Sequence, residues 1–196
     1  MKKIISILFI TLINFTTNLF AEENQLVKRI SEGEQNAKIT IIAYESLTCS
    51  HCADFHKIIY PDLKKDFIEK GLVKIEFRHF PLDLAAFNAS KISQCNNDGK
   101  SDLIHILFSG QKKWARGKTP EEATEYLKKF LMSEGINLDF ERCLGDKVIE
   151  DYVLNDRIKG VKKFKVNSTP TIIINDEKFE KALNYKNLKA YLEKLI

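Results

Sequence analysis

The chain has 196 residues, 44% hydrophobic and 30% charged, with a formal net charge of +4. That is enough chain for one domain with a substantial core, and so small a charge argues against a nucleic-acid partner.

The first element is a leader. Lys2 and Lys3 precede an apolar stretch from Ile4 to Phe20, and Ala21 is followed by Glu22 and Glu23. This reads as a secretory signal peptide over residues 1–21, cleaved after Ala21. An uncleaved membrane anchor is the alternative. It is disfavoured because the run is short for a spanning helix and is diluted by Thr11, Asn14, Thr16, Thr17 and Asn18. Next, Glu22 to Ala37 is polar, with room for a short edge strand near Leu26-Val27. The β-branched run from Lys38 to Glu45 predicts a buried strand. Ser46 to Thr48 turns into Cys49-Ser50-His51-Cys52. A helix follows to about Glu69, stopped by Gly71, with a kink or break expected at Pro61. Leu72 to Phe80 alternates, with Val73, Ile75, Phe77 and His79 on the core side, and predicts a second strand.

A helix-rich block follows. Helices are expected over Leu84–Asn96 and Ser101–Lys113. Another starts at Thr119-Pro120-Glu121-Glu122, with threonine as N-cap and proline at the first position. Asn137 is placed to cap a short helix carrying Cys143, and the last helix of the block runs from Asp146 to Val161. Lys159, Lys162, Lys163 and Lys165 at its end read as a solvated helix end rather than a binding patch. Thr171 to Asn175 is a strand, a turn leads into Lys178-Phe179-Glu180, and Leu188, Leu192 and Leu195 mark a terminal amphipathic helix.

Two cysteines two residues apart can close a small disulfide ring. At a helix start the first thiol meets unpaired backbone N–H groups and the positive end of the helix dipole. Both favour the thiolate, the species that performs thiol–disulfide exchange. Cys49 is therefore the expected nucleophile, with its thiolate also favoured by His51, and Cys52 the buried resolving thiol. The spacing makes Cys49–Cys52 the natural pair and leaves Cys95 with Cys143, which reads as a structural disulfide. Cys49, His51, Cys52 and His56 crowd one short segment, whereas structural zinc sites draw a second ligand pair from elsewhere, so no metal is expected. No other cofactor is expected beside the redox-active disulfide. His79 reads as a hydrogen-bonded core residue, and His105 and Trp114 as packing within the helical block.

The order is strand, CxxC helix, strand, helical block, strand, strand, helix. Together with the leader, Ser46-Leu47-Thr48-Cys49-Ser50-His51-Cys52, Phe77-Arg78-His79-Phe80-Pro81-Leu82 and Ser168-Thr169-Pro170-Thr171 carry a resemblance to the DsbA family of exported thiol–disulfide oxidoreductases. The resemblance covers nearly all of residues 22–196. It implies an α/β, thioredoxin-like fold interrupted by an all-helical insertion at about 82–167. It also implies that Pro170 is cis and faces the CxxC, with Thr169 offering backbone hydrogen bonds to an extended substrate. Relatives commonly carry a buried acid six residues before the first cysteine. Here Ala43 holds that position and Glu45 is the nearby acid. Two residues apart on a strand share a face, so Glu45 can substitute or can be a surface residue near the strand end.

By resemblance the chain is a monomeric periplasmic dithiol oxidase. Its substrates would be reduced exported proteins, and a quinone-linked membrane protein would re-oxidise it. His51 between the cysteines tilts the reading toward the oxidant end. An isomerase or reductase of exported disulfides is the alternative, and it usually needs an N-terminal dimerisation domain for which Glu22 to Ala37 is too short. A folding chaperone that does not use its redox centre is a third reading, and Cys49→Ser separates it from both enzymes.

Overall fold

The structure is a computed structural model and describes residues 27–196. The predicted leader, its predicted cleavage site and Leu26 lie outside the described residues. Strands β1 (Ser31–Glu32), β2 (Ile39–Glu45), β3 (Val73–His79), β4 (Thr171–Ile174) and β5 (Glu177–Lys178) form one sheet in the order β1-β3-β2-β4-β5. Strands β2 and β3 are parallel, with Ile39 opposite Val73 and Glu45 opposite His79; the other pairings are antiparallel. The edge strand is therefore Ser31–Glu32, and Val27 lies outside any strand.

Strand β2 is central and buried on both faces. Ile39, Ile41 and Ala43 join the main core, while Ile42 and Tyr44 pack with Phe80, Phe164, Val166 and Ile173 on the opposite face. A strand covered on both sides needs a near-continuous apolar run, which is what residues 39–44 supply. Strand β3 alternates as predicted, with Val73, Ile75, Phe77 and His79 buried. His79 accepts its place in the core through a 3.3 Å contact between Nε2 and the side-chain oxygen of Gln94.

The helix after the CxxC does not break at Pro61. It begins as α1 (Ser50–Asp54), widens to a π turn over Phe55–Ile59, returns to α geometry as α2 (Tyr60–Leu63), and widens again over Lys64–Ile68. Pro61 has no N–H to give and sits in the first turn of α2, where none is needed. The N–H of Tyr60 bonds five residues back, to the carbonyl of Phe55.

All helices between β3 and β4 fall in the predicted insertion. They are α3 (Leu84–Gln94), α4 (Asp102–Ser109), α5 (Gln111–Trp114), α6 (Pro120–Ser133), α7 (Phe140–Gly145) and α8 (Lys147–Phe164); α9 (Tyr185–Leu192) ends the described fold. The predicted Ser101–Lys113 helix is two helices. Gly110 lies between them, and a Cβ there would fall 2.0 Å from Cζ of Phe130, so only glycine fits this junction. Thr119 caps α6 as expected by accepting from the Glu122 N–H, but α7 is capped by Asp139, not Asn137. Helix α8 runs three residues past Val161 to Phe164, starts under an Asp146 cap, and leaves its four lysines exposed. Its Gly160 lies against Tyr44 so closely that a Cβ would fall 2.8 Å from the ring, which fixes how near the helix approaches the sheet. Cys95 at the end of α3 and Cys143 in α7 form a disulfide, with Cα atoms 5.3 Å apart. No described helix is long and apolar enough to cross a membrane.

Candidate active site

The CxxC lies where β2 hands the chain to α1. Cys49 has extended backbone angles and occupies the N-cap position, and its carbonyl accepts from the N–H groups of Cys52 and Ala53. Three elements hold this turn in place. The Cys49 N–H donates to the Ser46 carbonyl at 3.0 Å. Thr48 donates through its hydroxyl to Asp83, which also caps α3 by accepting from the Ala86 N–H. Gln111 of the insertion sends its side-chain amide to both the Leu47 carbonyl, at 2.8 Å, and the Cys49 carbonyl, at 2.9 Å. Nothing in the sequence pointed to Gln111; a lone glutamine opening a short helix carries no signal of its own.

Cys49 and Cys52 are free thiols of opposite character. Cys49 is part-exposed, and its thiol is held at about 5, well below the usual 9.0. The Cys52 thiol is the largest cause; burial opposes it, and the Thr169 side chain and the N–H groups of Cys52 and His51 add to it. Cys52 is fully buried, and its thiol is pushed far up by burial, by its hydrogen bond to Cys49 and by the negative charge of Glu45. His51 is exposed, and its backbone N–H is among the groups that favour the Cys49 thiolate. Ser50 opens α1 and is likewise exposed.

Thr169 and Pro170 face this pair from the loop before β4, and the peptide bond between them is cis. Cys49 Sγ lies 3.3 Å from the Thr169 carbonyl oxygen, to which the thiol form donates. The Thr169 hydroxyl is buried without another partner, leaving its proton available to a thiolate. Beside the cysteines is a groove of about 380 Å³ whose lining includes His51, Phe55, Ile58, Thr169, Pro170 and Tyr185. Ile58 is 63% exposed there, unusual for a large apolar side chain and suited to contact with an apolar partner.

Glu45 is not a surface residue. It is 5% exposed, and both its carboxylate oxygens lie 3.0 Å from Nε2 of His56. His105 departs from its expected role as packing within the insertion: it meets His56 and Glu32, which belong to the strand-and-CxxC half of the fold. Trp114 does pack within the insertion, donating its indole N–H to the Leu107 carbonyl. Among the described residues no three His, Cys, Asp or Glu side chains converge as a metal-ligand set.

A helix-capping, acidified cysteine, a buried partner two residues on and an opposed cis-proline are the parts of a thiol–disulfide exchange site. The thioredoxin family profile matches residues 25–194. The chain is a thioredoxin-family protein of the DsbA type. The crystal structure of Wolbachia pipientis alpha-DsbA1 superposes with a TM-score of 0.75 at 27% identity, covering 88% of this chain and 94% of that one. Disulfide bond formation protein D of Bacillus subtilis is 28% identical over 177 residues, 83% of this chain and 74% of that protein. A Rickettsia bellii protein named for protein-disulfide oxidoreductase activity is 26% identical over 187 residues, 93% of this chain and 68% of its own length. The chemistry of this DsbA-type chain is thiol–disulfide exchange.

Proposed function

We propose that the protein is a dithiol oxidase that introduces disulfides into exported proteins, with Cys49 as nucleophile and Cys52 as resolving thiol. The observation that carries this reading is the acidity of Cys49, about 5 in the folded dithiol form. A thiolate stabilised only in the folded, reduced protein stabilises that reduced protein and makes the corresponding disulfide a strong oxidant. In the oxidised enzyme a substrate thiolate attacks Cys49 Sγ, and the Cys49–Cys52 bond breaks with its electron pair leaving on Cys52. The substrate's second thiolate then attacks the sulfur bound to Cys49. The substrate leaves as a disulfide, and Cys49 leaves as the thiolate that its hydrogen bonds favour. The Thr169 backbone at cis-Pro170 would align an extended substrate, and the adjacent groove would take its apolar side chains.

The proposal includes export by residues 1–21 to the periplasm, action as a monomer on reduced exported proteins, and re-oxidation by a quinone-linked membrane protein. It assigns Cys95–Cys143 a structural role. Equilibration of Cys49/Cys52 with glutathione buffers tests the direction. A potential well above that of the glutathione couple is expected; one below it would make the protein a reductase. Retention of all folding activity by Cys49→Ser would replace both enzymatic readings with a chaperone.

A further inference from the structure

Four titratable side chains from four segments form one continuous line of contacts behind the cysteines. Glu45 ends β2, His56 lies in the π turn after α1, His105 is on α4 and Glu32 is on β1. His56 Nε2 is 3.0 Å from each Glu45 oxygen, His56 Nδ1 is 3.0 Å from His105 Nδ1, and His105 Nε2 is 2.6 Å from Glu32 Oε1. The side chains of Glu45 and His56 are each 5% exposed, against 25% for His105 and 14% for Glu32, so the line runs from the interior to water. None of the four lines the groove.

Proton counting says what this line holds. Each of its three links, Glu45–His56, His56–His105 and His105–Glu32, joins atoms that bear lone pairs, so each link needs a proton between them. Two neutral imidazoles supply one proton each. The third is an additional proton shared along the line. At the outer end Glu32 also accepts from Tyr60 and Ser101 and pairs with Lys64 at 3.0 Å. Burial raises its carboxyl, but His105 first, then Ser101, Tyr60 and Lys64, hold it far below the usual range, so Glu32 stays anionic. The additional proton therefore resides among Glu45, His56 and His105. The rings of Phe77, Phe108 and Tyr60 enclose His56 and keep water from short-circuiting the path.

We propose that Glu45, His56, His105 and Glu32 form a proton relay that connects the buried Cys52 thiol with solvent. The need for one follows from the reaction. When the Cys49–Cys52 bond breaks, Cys52 leaves with the electron pair as a thiolate in a fully buried site and must gain a proton. Glu45 in its protonated form gives that proton to Cys52, and His56 passes one to Glu45. His105 passes one to His56, and water at the Glu32 end restores His105. Re-formation of the disulfide runs the same shifts outward. Glu45 directly precedes Ser46, whose carbonyl accepts the Cys49 N–H at the turn that carries both cysteines, and Glu45 and Cys52 are both buried there. The relay rests on thiol–disulfide exchange at this site and not on its direction.

The test is single-turnover reduction of the Cys49–Cys52 disulfide by dithiothreitol from pH 5 to 8. It is done in water and in deuterium oxide, with alkylation quench and mass analysis of the CxxC peptide. For His105→Ala, the rate is expected to fall by about tenfold or more, with an altered pH profile and a diminished solvent isotope effect. Free imidazole should restore the rate, because the position is a quarter exposed. An unchanged rate and profile in folded His105→Ala, or a loss that imidazole does not restore, overturns the relay. Should that variant not fold, Glu32→Gln keeps one accepting oxygen for Ser101 and His105, gives up the one that Tyr60 uses, and removes the anion. It is expected to shift the pH profile, and an unshifted profile overturns the relay. No reduction at all in the unmodified protein would instead sink the exchange site itself.

Discussion

The reduced protein should gain stability over the oxidised protein as pH rises from 5 to 7. The perturbation is pH alone, applied to Cys95→Ser/Cys143→Ser protein so that only the active pair changes its redox state. Cys49 has a folded-state value of about 5 against 9.0 for an ordinary thiol. A depressed acid contributes its full stabilisation above the ordinary value, loses it as pH falls, and contributes nothing below the folded value. Each pH unit in that window is worth about 1.4 kcal/mol, so the step from 5 to 7 is bounded at about 2.7 kcal/mol. Cys49 is part-exposed, and solvent screening reduces this to roughly 1–1.5 kcal/mol. Cys52 shifts the other way and matters only at pH above its ordinary thiol value, outside the window. Urea midpoints of the two forms at pH 5, 6 and 7 measure the effect, and the reduced-minus-oxidised difference should grow by about 0.5 M. Any strain or entropy of the disulfide itself is independent of pH and drops out. A difference that stays flat, or that shrinks as pH rises, would refute the stabilised thiolate and with it the argument for an oxidant.

Three further outcomes are expected. Iodoacetamide at pH 5–6 should label Cys49 and spare Cys52 in the reduced protein, by peptide mapping; predominant label on Cys52 would reverse the assigned roles. Gln111→Ala removes the amide that ties Leu47 and Cys49 to the insertion. It should cost about 1–3 kcal/mol by urea denaturation and raise the Cys49 alkylation midpoint as the turn loosens. Replacing Cys95 and Cys143 by serine frees a loop with a sequence separation of 48, and the stability loss should reach at most about 4 kcal/mol, with most of the exchange rate retained. A rate loss as deep as that of Cys49→Ser in folded protein would make this pair an electron relay.

Features that rest on neighbouring residues were legible in the sequence. The strand–CxxC–helix order, the alternation of β3, the Thr119 cap and the helical nature of the insertion each follow from spacing within a few residues. Pairing of Cys95 with Cys143 followed once the CxxC was set aside. What escaped depends on docking between distant segments. Glu32, Glu45, His56 and His105 come together only when α4 packs on the helix after the CxxC, and no local pattern links them. Gln111 gains its role the same way. The two-residue β1 is too short to show any period, and the close approach of Phe130 to Gly110, twenty positions apart, leaves no local mark in the sequence. The exposure of His51 followed from the turn of helix on which it sits, which points its ring outward while Cys52 points in.

The π turn over Phe55–Ile59 also sets a phase. An α-helix rotates roughly 100° per residue, and a π turn absorbs one residue more than an α turn without lengthening the element by a full step. Cys52 on one side of that turn and Leu63 and Phe67 beyond it all face the core. Deleting the exposed Lys57 would return the segment to plain α winding and leave Cys52 and Leu63 in the same angular relation, both still facing the core. What would change is the turn itself, where the wider winding carries His56 to Glu45. One surplus position thus leaves the helix on either side in phase and redirects only the side chains within the turn.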